Sequence, residues 1–176
     1  RPHQPGDLTP LLKHLLSGGS LSADQTVSAF EAIMSGHAHH GEVGALLALL
    51  ATRTPSAEEL VGAARVMRMH VDRLTCSIKP GKLVDTAGTG GAPKTFNVST
   101  AAAIVAAAAG AYVPKHGNRS RTGRGSAEVL AGLGVNIDAD RTVQAGCLES
   151  CGVCFCFAIH HHPATRHVMP VRKAVG

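Results

Sequence analysis

Residues 85–100 read DTAGTGGAPKTFNVST, and the fold turns on how this stretch is understood. A short apolar run, Leu83 and Val84, feeds a turn holding Gly88, Thr89, Gly90 and Gly91, and the alanine-rich segment 101–109 beyond it has helical character. The order is strand, glycine loop, helix. Glycines let backbone N–H groups approach a ligand without a Cβ in the way, and a helix start adds unpaired donors and partial positive charge. Anions are favoured at such a place. Asn97, Ser99 and Thr100 stand at the loop-to-helix junction, where they can cap the helix, and with Thr95 they offer polar contacts to a phosphate. Taken alone, the glycines fit a tight strand-to-helix turn as well as they fit an anion site.

The segment downstream tips the balance. A second strand, starting near Gly110 and running through Tyr112, Val113 and Pro114, ends in Lys115-His116-Gly117-Asn118-Arg119-Ser120. This second glycine-bearing loop carries two cations, a histidine and an amide. In parallel α/β sheets ligands sit at the carboxyl ends of strands, so both loops open on one edge and form one composite pocket.

GTGG, TFNVST, KHGNRS and the later HPA (162–164) and PVRK (170–173) segments, in this order and near this spacing, resemble the anthranilate phosphoribosyltransferases of tryptophan biosynthesis. The resemblance runs from about Leu11 to the end of the chain. It implies a reaction in which the amine of anthranilate displaces pyrophosphate from C1 of 5-phosphoribosyl-1-pyrophosphate. It also implies that Gly88, Thr89, Gly90, Gly91, Thr95, Asn97, Ser99, Thr100, Lys115 and Thr122 contact that sugar diphosphate, with Ser99 nearest a Mg²⁺ cofactor. Gly88, His116, Asn118, His162 and Arg172 fall where the family holds anthranilate, the last two at its carboxylate, which suits guanidinium geometry. No covalent nucleophile is implied. A homodimer formed through the helical region is.

Three departures from the family pattern stand out. The acidic residue after GTGG is Ala92, in a loop one residue shorter with Pro93-Lys94, where Lys94 takes over part of the anion contact. The segment 121–126 is also one residue shorter and leaves Thr122 as its hydroxyl. The family's chain continues beyond the position of Gly176 to an Asp-Glu pair that holds magnesium, so the expectation is an incomplete sheet and a polypeptide inactive on its own.

Composition agrees with a folded enzyme. The 176 residues are 44% hydrophobic and 16% charged, with mean hydropathy +0.10, which excludes disorder. Aromatic residues make up only 3%, too few for base-stacking platforms. A net charge of +5 suits a phosphorylated sugar, and equally a nucleic acid. A nucleic-acid-binding relative of the same fold is therefore the alternative, favoured by Arg119, Arg121 and Arg124; retention of KHGNRS and Arg172 favours the enzyme. With no signal peptide and no membrane span expected, and five cysteines crowded too oddly for a secreted disulfide framework, the chain reads as cytoplasmic.

The chain divides into a helical domain, residues 1–74, and a partial α/β phosphoribosyl-pyrophosphate-binding domain, residues 75–176, with a mainly parallel sheet flanked by helices. Leu11, Leu12, Leu15 and Leu16 mark a first helix. Ser22 with Gln25, and Ser56 with Glu59, are capping boxes that open two more, whose expected stripes are Val27, Phe30, Ile33, Met34 and Leu60, Ala63, Ala64, Met67. Val43 to Leu50 is a nearly solid apolar helix. In the second part the pattern predicts helices at 126–133 and 138–149, strands at 135–137 and 152–159, and a closing helix at 163–174. Three histidines at 37, 39 and 40 read as a solvated turn. Cys154 and Cys156 read as small hydrophobes on a strand rather than zinc ligands.

Overall fold

A computed structural model describes residues 6–88, 96–120 and 123–175. The helices are α1 (Thr9–Leu16), α2 (Ala23–Met34), α3 (His40–Ala51), α4 (Ala57–Met69), α5 (Val98–Ala108), α6 (Ser126–Gly132), α7 (Arg141–Cys151), α8 (Ala158–His161) and α9 (Met169–Val175). The strands are β1 (Val113–Gly117) and β2 (Val153–Phe157). No described helix is long and apolar enough to cross a membrane. The chain forms two compact units. The first takes the described residues up to Val71 together with His162 onward, and the second is Asp72–His161. The C-terminal segment, read from sequence with the α/β part, thus packs with the helical unit.

In the first unit both capping boxes close. Ser22 Oγ accepts from Gln25 N at 3.2 Å while Ser22 N donates to Gln25 Oε1 at 2.9 Å, and Ser56 with Glu59 repeats the arrangement. The core gathers Leu15, Leu21, Ala29, Ile33, Val43 and Leu46, and Val168 and Val171 from the end of the chain join it. The faces of α2 and α4 differ from the expected stripes. On α2 the inward residues are Thr26, Ala29, Ile33 and Met34, not Val27; on α4 they are Glu59, Gly62 and Val66, leaving Leu60 59% exposed. Residue type alone put the α4 stripe one position out of phase. Gly62 admits α2 to close range, and the Glu59 carboxylate turns inward because it has four donors there, a point taken up below.

In the second unit β1 and β2 pair in parallel, Lys115 opposite Phe155 and His116 opposite Cys156. Leu83 adds a parallel bridge to Tyr112, and Val84 N donates to Tyr112 O at 2.9 Å. The strand expected at Leu83-Val84 is reduced to this bridge. β2 is buried along almost its whole length. Its alternation sends Phe155 and Phe157 to a cluster with Ala127, Leu130 and Ile137, and Cys154 and Cys156 to another with Leu148.

Three local expectations are corrected. Residues 135–137 form no strand: Val135 N closes the end of α6 on Leu130 O at 3.0 Å, and Asn136 Oδ1 accepts from Asp138 N, a side-chain turn that outcompetes extended backbone over three residues. α7 starts at Arg141 rather than 138, because Asp140 caps it through Val143 N at 2.9 Å. β2 stops at Phe157 and the chain turns into α8, while the closing helix begins as a 3₁₀ turn over Pro163–His167.

Candidate functional site

β1 carries the first candidate side chains. Lys115 and His116 lie on the strand itself rather than in the loop after it. Lys115 is 3% exposed, and its Nζ donates to His116 O at 2.6 Å. Burial lowers the pKa of this amine, and Asp85 and Cys156 oppose the shift by favouring its charge. The next residue, Gly117, tolerates no side chain: a Cβ there would run into Ser126 Oγ and the Phe155 ring.

The loop after β1 folds back on the start of α6. Asn118 is exposed, its Oδ1 accepts from Arg119 N at 2.8 Å, and its carbonyl accepts from Ala127 N at 3.3 Å. Ser120 N donates to Glu128 Oε1, and Arg124 N donates to Ser120 Oγ. Arg119 sits 5.7 Å from the centroid of Phe157, a cation–π contact.

The first glycine loop meets this one through Asp85. One carboxylate oxygen, Oδ1, accepts from Ala87 N at 3.1 Å and from His116 N at 3.4 Å. Thr86 Oγ1 donates to Ser99 O at 2.8 Å and so fixes the loop to the first turn of α5. Gly88 is exposed, with nothing within 4 Å of where a Cβ would stand. Asn97 occupies the cap position of α5 but does not cap it; its amide donates instead to Arg124 O at 3.3 Å, which ties the two loops together a second time. Ser99 is half-buried, and its hydroxyl makes no hydrogen bond to a described residue.

Thr100 is 4% exposed and its hydroxyl has no partner among the described residues. With Lys115 it lines a cavity of about 340 Å³ whose other walls include Ile104, Leu130, Val143 and Phe155. Thr89, Gly90, Gly91, Thr95 and Thr122 lie outside the described residues, as do Lys94 and Arg121. His162 and Arg172 belong to the first unit. His162 is half-buried and its carbonyl accepts from Thr165 N and Oγ1 in the 3₁₀ turn; Arg172 is exposed on α9. Gly88, Asn97, Ser99, Thr100, Lys115, His116 and Asn118 all belong to the second unit, where Thr100 and Lys115 share the cavity.

Sequence reasoning missed two groups of residues. Asp85 was in plain view at the end of the first strand, where a carboxylate can reach a neighbouring loop's N–H. The second is a polar network around the buried His161 and Gln144: Asp72 pairs with Arg141, Arg141 donates to His160 O and stands 3.4 Å from His161 Nε2, and His161 lies between Asp72 O and Gln144 Oε1, each at 2.9 Å. Its members are far apart in sequence and carry no motif. Among the described residues no group of three His, Cys, Asp or Glu side chains is placed to hold a metal ion.

Residues 80–176 match the glycosyl transferase family, a/b domain, and residues 9–71 match the helical bundle domain of the same family. The chain is 46% identical over 167 residues to anthranilate phosphoribosyltransferase of Rhodopirellula baltica, covering 94% of this chain and 48% of that protein. It is 45% identical to the enzyme of that name from Methanosphaerula palustris, at 94% and 49% coverage. Among solved structures, anthranilate phosphoribosyltransferase (TrpD) of Thermus thermophilus superposes with a TM-score of 0.84 at 38% identity, over 94% of this chain and 50% of that one. The Saccharomyces cerevisiae enzyme in complex with PRPP and Mg gives 0.84 at 27% identity, over 99% and 53%. The chain thus spans about half the length of the relatives it matches.

Proposed function

The chain belongs to the glycosyl transferase family, with both its helical bundle and its a/b domain represented, and on that footing we propose that it serves transfer of the phosphoribosyl group from 5-phosphoribosyl-1-pyrophosphate to anthranilate. The observation that carries this reading is the double tie between the two glycine loops, Asp85 to His116 N and Asn97 to Arg124 O. It holds two donor-rich loops at the same ends of parallel strands, where α/β sheets take ligands.

In such a substitution positive charge grows on the sugar and negative charge on the leaving pyrophosphate, so the enzyme gains most from neutralising the diphosphate and aligning the amine with C1. Gly88, Thr89, Gly90 and Gly91 cradle phosphate oxygens with backbone N–H groups, and Thr95, Asn97, Thr100 and Thr122 add side-chain contacts. Lys115 supplies a buried positive charge, whose attraction for a phosphate is strengthened by its poorly solvated surroundings. Gly88, His116 and Asn118 hold anthranilate near C1. The Ser99 hydroxyl, which bonds to no described residue, is a hard oxygen donor of the kind Mg²⁺ takes beside substrate phosphates. Magnesium, when bound there, offsets charge on the diphosphate.

The helical unit forms a homodimer in this reading, supported by apolar side chains left on its surface, Leu60 at 59% and Met69 at 62% exposure among them. The cytoplasm is the compartment proposed, supported by the uneven cysteine usage. The reading is tested by thermal unfolding with phosphoribosyl pyrophosphate and Mg²⁺. At about a hundredfold excess over Kd the midpoint rises by roughly 5 °C or more, and ribose 5-phosphate, which lacks the diphosphate, gives a smaller rise. An unmoved midpoint with both ligands overturns it.

A further inference from the structure

Cys147 and Cys151 lie one turn apart on α7, and both are exposed. Val143, Gln144, Cys147 and Cys151 follow the spacing of a single helix face, and all four line the cavity of about 340 Å³. The two thiols therefore stand at its mouth. Gly152 closes the last turn in the left-handed conformation, at φ 73°, with its N–H on Leu148 O at 3.1 Å, so the helix holds its pitch as far as Cys151. Cys151 Sγ has a 3.5 Å contact with Ser150 Oγ, whose own proton is on Gly146 O, and this is a weak bond for a thiol to give up.

The spacing decides what this pair can do. Side chains four apart on a helix have Cβ atoms about 5–6 Å from each other, whereas a disulfide needs about 3.8 Å. A direct S–S bond is out of reach without unwinding the turn. One soft atom set between the two sulfurs lengthens the bridge enough to span the gap. Among the described residues no third His, Cys, Asp or Glu is placed to complete a metal's coordination shell. An atom that takes two sulfurs and fills its remaining valence with carbon fits that count. Behind the thiols the walls are apolar, with Ile104, Leu130, Val143 and Phe155 among them. Lys115 Nζ is engaged by His116 O, and the Gln144 amide by Ala139 O and His161, so both present hydrocarbon stems to the cavity. Apolar cavities of roughly 150 Å³ already take up benzene.

We propose that Cys147 and Cys151 form a dithiol site for a trivalent arsenical carrying one apolar organic group, which seats in the cavity. Phenylarsonous acid, the form phenylarsine oxide takes in water, has two hydroxyls on arsenic. Each thiol sulfur attacks the arsenic; an As–O bond breaks, and the hydroxyl leaves as water with the thiol proton. Two As–S bonds form, two waters are released, and arsenic stays trivalent, so no electrons change hands. Cys154 and Cys156 are the rival pair, their sulfurs 3.9 Å apart. Both are buried, however, and Cys156 has no place in the cavity lining, so the exposed pair on α7 is the one an arsenical meets.

The test adds phenylarsine oxide to the full chain, reads the stoichiometry by intact-mass spectrometry and measures affinity by competition with dithiothreitol. The expected product carries one phenylarsenic group in place of two thiol hydrogens. Cys147→Ser and Cys151→Ser, both at exposed positions, each weaken binding at least roughly a hundredfold, because the second As–S bond forms within one molecule. Cys154→Ala leaves the affinity unchanged. Undiminished affinity in either exposed-site variant, or loss of binding in Cys154→Ala alone, overturns the proposal. Should Cys154→Ala fail to fold, the two surface variants decide. The seat in the cavity has its own readout: phenylarsine oxide is preferred over its methyl counterpart at least roughly tenfold more by the chain than by dithiothreitol, since the ring leaves water. An equal preference overturns that part.

Discussion

Lys115 concentrates the tension of the site in one side chain. A buried amine is costly to keep charged, and what the fold gives it in return is the carbonyl of His116 and the nearby carboxylate of Asp85. Lys115→Met, similar in length and uncharged, is expected to leave the unfolding midpoint unchanged or raised while weakening phosphoribosyl pyrophosphate by about 10- to 100-fold, the usual range for a charge-assisted contact. Calorimetry of unfolding and of binding separates the two effects. Thr100 makes the companion case. Its hydroxyl is buried without a partner among the described residues, so Thr100→Val, which keeps the shape, is expected to stabilise the chain by about 1 kcal/mol in a denaturant titration. A loss of stability would mean that the hydroxyl is satisfied in solution.

At the level of elements, α2 and α4 are joined by two unusual residues. A Cβ at Gly62 would stand 2.5 Å from Ala23 O and 2.6 Å from Thr26 Cβ, so Gly62→Ala forces the helices apart and is expected to cost about 1–3 kcal/mol, despite alanine's better helix propensity. Glu59 is 2% exposed and accepts from Leu21 N, Ser56 N and both terminal nitrogens of Arg53. These bonds, that from Arg53 foremost, hold its carboxyl down to about 2. Because the folded value lies below the unfolded one, the stabilisation is complete above the ordinary carboxylate range and is lost as pH falls from there toward about 2. Glu59→Gln is expected to cost about 3 kcal/mol near neutral pH and to flatten that acid limb, as seen in melts between neutral and acidic pH.

The same two helices show what the sequence discloses. Their starts were legible because Ser22 with Gln25 and Ser56 with Glu59 are local devices, each settled within a single helical turn. The inward face of α2 was partly legible, Ile33 and Met34 lying where expected, but that of α4 was not, because Glu59 owes its buried place to Arg53 and Leu21, and Gly62 to α2, all partners that only tertiary structure supplies. The same division runs through the site. GTGG, TFNVST and KHGNRS pointed to loops followed by helices as the candidate site, whereas the Asp85 and Asn97 ties join residues 31 and 27 positions apart, and the burial of Lys115 and Thr100 is likewise a product of packing between distant segments. The missing strand at 135–137 had the right residue types, but Asn136 offered the backbone a nearer partner.

On the scale of the whole molecule, the candidate residues fall in two compact units, with Lys115, His116 and Asn118 in the second and His162 and Arg172 in the first. The first unit leaves Leu16, Leu60, Val61 and Met69 exposed, and light scattering is expected to find a dimer that Leu60→Asp converts to monomer; an unchanged mass in that variant would place the contact elsewhere. The central claim is that the two tied glycine loops bind a sugar diphosphate. Isothermal titration of phosphoribosyl pyrophosphate into the chain, with and without Mg²⁺ and alongside folded Lys115→Met, addresses it most directly. The account predicts saturable binding that magnesium strengthens and Lys115→Met weakens at least roughly tenfold. Absence of binding by the folded chain, or equal affinity in Lys115→Met, would contradict it.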